Sequence, residues 1–444
     1  MSTESILTAG MQLTRMACTE EFVGLDSPHW AIEPYLPVTT ADLVDALLAR
    51  RGDTKRAASA AGELVEGEQA AGELDRERLR DVFGGFAELL HHRYRPLYSR
   101  FAQRYAALDP DRDTRPLRGW EACAASEQEQ QAAVAEISQA GQTVLVDAGY
   151  TEVTREELEQ AVGLSSHWGV PLHVDFAVFD AIIVYARGDV IGQRAKRRWQ
   201  NLYREVIYDV PLYQRVVVMF KLRPGFRTDD DLDHTMLHLR MFKNVPKPDI
   251  DMLLPGTRVR FTWLDHLRNI VPSLGGIGVT LFKISRVGFF VAAITLSLAA
   301  VLAGLVLALV GYAVRSVMNH MNVKNRYMLN LTRNLYYQKL DSNAGVAYRL
   351  LEEAESQRHR EAVLAYYAIL TAGQPISPRR LRRRAERLVR ELIDVEVEFR
   401  VAEAIALLEE WDLIHRDADG KLRVCDPDEA MRRIEAHCDR ALKA

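Results

Sequence analysis

The sequence lacks closely spaced cysteines and the common catalytic motifs. Its 444 residues include four cysteines, which lie far apart and form no CxxC pair: Cys18, Cys123, Cys425 and Cys438. This spacing argues against a disulfide framework or a zinc finger and fits a reducing compartment. The motifs GxSxG and GxGxxG and the P-loop are also missing. The residues therefore predict no catalytic residue, no cofactor and no metal site.

Two further absences concern charge and targeting. The net charge is -4 with 27% charged residues, so there is no overall basic field to attract nucleic acid. The first residues, MSTESILTAGMQLTRMACTEEF, show no basic segment followed by an apolar core, as a secretory signal would. From this we expect the N-terminal part to be made and kept in the cytosol.

Charge is missing altogether from residues 287–314, a run of 28 uncharged residues. About 20 apolar residues are enough for a helix to cross a membrane, so this run predicts a transmembrane helix. The preceding segment, 267–281, has Arg268 as its single charge and favours a membrane hairpin at 266–315, with spans at about 267–284 and 287–314. One span is the alternative. The hairpin predicts an integral protein of the bacterial cytoplasmic membrane with both termini in the cytosol, or alternatively of an organelle inner membrane.

The N-terminal region, residues 1–160, is predicted to be mainly helical. Apolar residues recur at spacings of three and four across 74–108, which is typical of an amphipathic helix. Residues 52–73 are rich in alanine, glycine and glutamate and poor in large apolar residues. They predict a flexible insertion.

Residues 161–265 predict an α+β domain with a small mixed or antiparallel sheet. Strands are expected at 172–185, 213–222 and 236–244, where valine, isoleucine and phenylalanine are frequent, with a fourth possible at 258–262. The sequence Arg-Gly-Asp at 187–189 predicts a turn that ends the first strand. Residues 194–208 predict a helix.

The region after the uncharged run predicts juxtamembrane helices at 316–358 and a winged-helix-like domain at 359–444. The last 80 residues give three helices, a two-stranded hairpin and a closing helix. Ser377 and Pro378 have the order of an N-cap and a first-turn proline at the start of the second of these helices. The whole fold class is therefore α+β, with a helical N-terminal region, a sheet domain, a transmembrane helical hairpin and a C-terminal winged-helix-like domain.

Two basic segments are candidate binding sites. Residues 379–390 contain seven arginines, which suit contact with anionic lipid headgroups or with nucleic acid phosphates. The structural alternative is a solvated helix paired with the acidic segment 391–398. Nucleic acid is disfavoured because the third helix of the C-terminal domain carries Glu403, Glu409 and Glu410. The second segment, 194–203, mixes basic and aromatic residues, which suits a membrane interface or a helix with a basic outer face. The candidate lipid contacts are Arg194, Lys196, Arg197, Arg198, Arg379, Arg380, Arg382, Arg383 and Arg384.

Several stretches together resemble the uncharacterised family catalogued as domain of unknown function 3754. They include YLPVTTADLVDALL from Tyr35, VYARGD from Val184, VPLYQRVVVMFKLR from Val210, LRMFKNVPKPDIDMLLPGTRVRFT from Leu239 and NLYYQKLDSNAGVAYRLL from Asn334. The resemblance extends over roughly residues 33–425. It implies a membrane protein with a hydrophobic hairpin and no established activity, found in bacteria, in plants and in animal mitochondria. It supplies no catalytic residues.

Two functions are compatible with these features. The first is a membrane-anchored, non-enzymatic scaffold or regulatory protein whose cytosolic domains dock a protein partner. The second is a lipid-binding or lipid-modifying enzyme that uses the α+β domain as an apolar pocket. The expected partners are the lipid bilayer, a protein and a second copy of the chain through the membrane helices. Nucleic acid is not expected.

Overall fold

The computed structural model describes residues 21–24, 30–60, 67–112, 127–154, 156–157, 172–173, 175–197, 205–225, 232–255, 258–259, 311, 318 and 338–443. Seven α-helices and ten β-strands lie within these ranges. The protein is α+β: helices pack on an antiparallel sheet.

The main sheet is built around two long strands of the middle region. The first eight strands are β1 (Glu21–Gly24), β2 (Thr151–Glu152), β3 (Leu172–His173), β4 (Phe179–Arg197), β5 (Glu205–Leu222), β6 (His238–Pro246), β7 (Arg258–Val259) and β8 (Lys339–Ser342). The main sheet has the order β1-β4-β5-β6-β8, and β2 also pairs with β4. All of these pairings are antiparallel. Strands β3 and β7 form a separate antiparallel pair.

Both faces of the central strands are covered. Val217 and Met219 of β5 belong to the core under the helices. Val216, Val218 and Phe220 of the same strand belong to a second core on the other face. Because neighbouring side chains of a strand point to opposite faces, the continuous apolar run VVVMF is explained by burial on both sides.

The helices surround one long central helix. They are α1 (Thr40–Ala60), α2 (Gly67–Tyr105), α3 (Glu127–Asp147), α4 (Ala344–Leu370), α5 (Pro378–Ile393), α6 (Val401–Glu410) and α7 (Pro427–Lys443). Helix α4 contacts α1, α2, α3, α5, α6 and β6, and α2 also packs on α7. Residues 362–369 of α4, AVLAYYAI, are buried all round, which explains why this stretch has no polar stripe.

The C-terminal elements share a core with the N-terminal helices. The strands β9 (Ile414–Arg416) and β10 (Leu422–Val424) form a hairpin, and Ile376 bridges Leu422 as a third, single-residue partner. Helix α5 begins as the sequence predicts, since the Ser377 hydroxyl accepts a hydrogen bond from the Arg380 amide. The core under α2 and α4 continues into α5, α6 and α7. The domain boundaries stay a prediction.

Several local predictions are wrong. Residues 194–197 and 205–208 are not helical: they extend β4 and β5, which pair with each other there. The Arg-Gly-Asp sequence at 187–189 is not a terminal turn, because β4 continues through it with Gly188 at a φ of 73°. Lys339 and Leu340, which are expected in a juxtamembrane helix, begin β8, which runs to Ser342. Part of the predicted insertion is helical, since α1 runs to Ala60 and α2 starts at Gly67.

The predicted membrane architecture is also corrected. In the part of the chain that the structure describes, no helix is long and apolar enough to cross a membrane. The longest helices, α2 and α4, exceed the required length of about 20 residues but carry charged residues along it. This finding contradicts both the transmembrane hairpin and the location in a membrane. The predicted spans, 267–284 and 287–314, lie outside the described residues except for Gly311.

We expect Gly188→Ala to lower the free energy of unfolding by about 2 kcal/mol, because a non-glycine residue at this positive φ is strained. A Cβ at this position would also lie 2.7 Å from the Cβ of Gln214. Urea unfolding of the full chain measures the change. The matched control is Gly141→Ala in α3, where no atom lies within 4 Å of the new Cβ. Alanine favours a helix there, so the control should be neutral or stabilising. Equal losses in the two variants would contradict the assignment of strain to Gly188.

Candidate interaction surface and buried charge network

An extended segment, residues 30–38, connects the sheet to the C-terminal half of the molecule; we call it the strap. Trp30 pairs with Val190 of β4, and Glu33 pairs with Val397 just before α6. The Glu33 carboxylate accepts hydrogen bonds from the amides of Gly188 and Asp189, at 2.7 and 3.0 Å. Burial raises the pKa of Glu33, although these two amides act in the opposite direction. The strap therefore explains how β4 keeps the unusual conformation at Gly188.

Arg187 is a buried arginine at the same point of β4, with 5% of its surface exposed. Its guanidinium forms an ion pair with Glu353 of α4 at 3.1 Å and donates to the carbonyl oxygen of Ala148 at 2.9 Å. It also lies over the rings of Tyr35 and Tyr150, 4.2 and 4.5 Å from their centroids. Burial lowers the pKa of Arg187, but Tyr150 and Glu353 outweigh burial and the net pKa is raised. Arg187 is thus held as a cation inside the protein.

Helix α4 presents a polar side to the strap. Gln357 is fully buried; its oxygen accepts from the amide of Leu36 at 3.2 Å, and its nitrogen donates to the carbonyl oxygen of Pro34 at 3.0 Å. Arg360 donates to the carbonyl oxygen of Val38 at 2.9 Å. Three consecutive contacts along the strap are therefore made by side chains of one helix, which satisfies backbone groups that pair with no strand there.

Glu361 lies at the centre of this polar side and is 1% exposed. Its carboxylate accepts hydrogen bonds from Arg358 at 2.9 Å and from Arg400, at the start of α6, at 2.7 and 3.0 Å. Arg358 also pairs with Asp147 at the end of α3, and Asp147 accepts from the Tyr94 hydroxyl of α2 at 2.9 Å. Glu361 therefore connects α4 to α6 directly and, through Arg358, to α3 and α2.

We call this set of contacts the buried charge network. Its members are buried or half-buried, and all except Tyr35, whose ring lies under Arg187 and Arg360, have a hydrogen-bonded partner of opposite charge or complementary polarity: Tyr35, Tyr94, Asp147, Tyr150, Arg187, Glu353, Gln357, Arg358, Arg360, Glu361 and Arg400. Burial raises the pKa of Tyr94 and Tyr150, so both stay neutral donors to carboxylates. A buried ion pair contributes little compared with an apolar contact, but breaking one leaves a costly unpaired charge. The network therefore acts as a structural connection among four helices, the strap and β4.

Three cavities border the described helices and strands, and none of them is lined by a member of the buried charge network. The space between the sheet and α4 contains an enclosed apolar cavity of only 20 Å³, bounded by Val217, Met219 and Leu239 among others. Two open grooves are larger. One, of 510 Å³, lies between residues 30–32 of the strap and the end of α5; the other, of 730 Å³, lies between α2 and α4. No group of three or more metal-binding side chains occurs among the described residues.

Helix α5 carries the arginine-rich segment that the sequence singles out. Leu381, Ala385, Leu388 and Val389 face the core. Three of the seven arginines have partners. Arg382 pairs with Glu386 at 2.7 Å and with Glu398, Arg384 donates to the Thr371 carbonyl at 2.9 Å, and Arg390 pairs with Glu396. The predicted pairing with the acidic segment 391–398 therefore holds for Arg382 and Arg390.

The other four arginines of α5 are exposed, and they make no ion pair within the described part of the chain: Arg379, Arg380, Arg383 and Arg387. Arg379, Arg383 and Arg387 are four residues apart and so lie above one another on one side of the helix. We call these four residues the arginine stripe. The fold thus separates the arginines that hold the helix in place from those that face solvent.

The second basic segment is distributed differently. Arg194, Lys196 and Arg197 belong to the end of β4, where the chain pairs with Tyr208, Val206 and Glu205 of β5. Arg198 lies outside the described residues. A role for this segment in lipid contact stays a prediction.

Comparison with known proteins agrees with the resemblance seen in the sequence. Residues 213–345 match the family described as Protein of unknown function (DUF3754). The chain is similar to this family over that part, which is less than half of its length. The match covers the second half of β5, then β6, β7 and β8, and ends at the first turn of α4. No curated protein and no solved structure matches the chain.

The buried charge network is not apparent from the sequence. One signal was present: the apolar stretch 362–369 indicates a helix surrounded by protein, so the charged residues just before it were candidates for burial. The partners of Gln357 and Arg360 could not be identified, because the strap lies more than 300 residues away in the chain.

We expect Glu361→Ala to lower the free energy of unfolding by about 3 kcal/mol or more, because Arg358 and Arg400 would lose their shared carboxylate inside the protein. Glu352→Ala changes an exposed glutamate of the same helix and should stay within about 0.5 kcal/mol of the parent chain. Denaturant unfolding of both variants measures the difference. A loss below 1 kcal/mol for Glu361→Ala would show that the network contributes little.

A pH dependence follows from His359, whose Nε2 lies 2.7 Å from the carbonyl oxygen of Phe83. Burial lowers the pKa of His359 in the folded protein from its ordinary value of 6.5. Below that value the unfolded chain binds the proton more readily, so stability should fall as the pH decreases. His238 is shifted in the same direction by burial. Between pH 7.5 and 5.5, the free energy of unfolding should therefore decrease less for His359→Gln than for the parent chain. The same dependence of this free energy on pH in both chains would contradict the assignment.

Proposed function

We propose that the protein is a non-enzymatic scaffold that docks another protein on the outer side of α5. The observation that carries this proposal is the arginine stripe: four exposed arginines on a helix whose opposite side is fixed in the core. Exposed arginines are frequent at the energetic centres of protein interfaces, and a rigid helix loses little entropy when a partner binds.

The position of α5 supports this role. Residues 30–32 of the strap and the end of α5 border the same groove, and Glu33 pairs with Val397 just beyond α5. Arg384, in the middle of this helix, donates hydrogen bonds to the carbonyl oxygen and the hydroxyl of Thr371, at the end of α4. The buried charge network fixes α4 and α6, which both pack on α5. The stripe is therefore presented by a rigid support.

The alternative is a lipid-binding or lipid-modifying enzyme with an apolar pocket in the sheet. Pockets for small molecules usually measure about 300–1,000 Å³. The described part of the sheet leaves an apolar cavity of 20 Å³ beneath α4, and its other face is filled by Phe179, Phe220 and Phe242. This packing favours the scaffold over the enzyme.

We expect the triple variant Arg379→Glu, Arg383→Glu, Arg387→Glu to lose its partner without losing its fold, because it changes only exposed side chains. The partner is isolated with the tagged full chain and identified by mass spectrometry at a stoichiometric amount. Quantified binding of that partner should fall at least tenfold. The matched control, Arg95→Glu, Arg100→Glu, Arg423→Glu, makes the same change in net charge at exposed arginines of α2 and β10.

Two results would contradict the scaffold. One is equal binding by the parent chain, the stripe variant and the control. The other is a purified chain that retains one lipid molecule per protein and no protein partner, which is the behaviour of the alternative. Circular dichroism and urea unfolding establish that each variant is folded before binding is compared.

A further inference from the structure

The arginine stripe has a regular geometry. Arg379, Arg383 and Arg387 occupy successive turns of α5, so their Cβ atoms are about 6 Å apart. Arg379 and Arg387 are eight residues apart, or about 12 Å along the helix. Arg380 lies beside the first of them. Leu381, Ala385 and Leu388, on the opposite side of the helix, are buried, so the stripe cannot turn inward.

The stripe has an excess of positive charge. The nearest acidic residue on the helix, Glu386, already accepts hydrogen bonds from Arg382 at 2.7 Å and from the Phe399 amide at 3.3 Å. Glu391, at the end of α5, pairs with Arg50 of α1. The acidic groups around the stripe are thus engaged with other donors, and the stripe suits an anionic ligand. Arginine binds carboxylates and phosphates through two parallel hydrogen bonds.

The surroundings disfavour a nucleic acid duplex as this ligand. In winged-helix domains, which have three helices followed by a two-stranded hairpin, the third helix enters the groove of the duplex. Here that helix, α6, carries Glu403, Glu409 and Glu410, and the β9–β10 hairpin carries Asp417 and Asp419 at its tip. These carboxylates would repel the phosphates of any duplex that contacted α5, α6 and the hairpin together. A ligand that touches α5 alone must be narrow.

We propose that the arginine stripe binds an acidic segment of a partner protein, with carboxylates spaced about 6 Å apart. An extended chain with an acidic residue at every second position has this spacing, since it advances about 3.4 Å per residue. A partner helix with acidic residues four apart has nearly the same spacing. The proposal rests on the scaffold function and adds the chemistry of the partner.

The test uses the folded full chain and three probes at about 50 and 150 mM salt. The probes are a fluorescent decapeptide of alternating glutamate and alanine, vesicles containing phosphatidylserine, and a 20-base-pair DNA duplex. We expect saturable binding of the peptide that the stripe variant weakens at least tenfold and the Arg95/Arg100/Arg423 control changes less than twofold. A decapeptide of alternating glutamine and alanine should not bind.

The outcomes separate this inference from the scaffold function. Binding of the vesicles or the duplex through the stripe, with no peptide binding, overturns the acidic-segment proposal. The acidic-segment proposal is also overturned if the peptide does not bind while binding of the isolated partner still requires the stripe. In that case the scaffold function stands. If the isolated partner binds the stripe variant as well as the parent chain, the scaffold function itself fails.

Discussion

The carboxylate of Glu361 is the contact on which the arrangement of this protein depends. It is almost completely withdrawn from water and is shared by Arg358 of its own helix and Arg400 of α6. An unpaired carboxylate would be very costly at such a position, so the three side chains must assemble together. Because Arg358 also binds Asp147 and Arg400 reaches the carbonyl oxygen of the same residue, the arrangement fixes α3, α4 and α6 at one point.

The strap extends this constraint to the sheet. Gln357 and Arg360, next to Glu361, hold the backbone of the strap, and Glu33 holds the amides at the bend of β4. Arg187 closes the connection from β4 back to Glu353 of α4. The N-terminal strap, the central strands and the C-terminal helices are thus parts of one packed structure. This rigidity is what allows α5, which has little polar contact with the strap itself, to present its outer arginines in a fixed arrangement.

The sequence predicted local structure better than contacts between distant residues. Helical periodicity located α2 and α4–α7, and the cap of α5 at Ser377 is observed. The sequence predicts a turn at Gly188, whereas β4 bends there and continues, because Glu33, 155 residues earlier in the chain, accepts a hydrogen bond from the Gly188 amide. Residues 194–208 have a composition that also suits a helix, and pairing between β4 and β5 decides the outcome.

For the candidate site, the arginine run was visible in the sequence, but which arginines are free depends on Glu386, Glu398 and Thr371, which only the fold places beside them. The membrane hairpin, predicted from the uncharged run, is contradicted, because no described helix meets the requirements of a span.

Hydrogen exchange of the backbone amides tests the central claim most directly, namely that the network joins the strap, β4 and the C-terminal helices into one cooperative unit. The amides of Leu36, Gly188 and Asp189 donate to side chains of Gln357 and Glu33. If the network is cooperative, these amides should exchange with the same opening free energy as the central turns of α4, and Glu361→Ala should lower all of these values together. Fast exchange of the strap and the bend of β4 while α4 remains fully protected would show that they open independently, and would contradict the account.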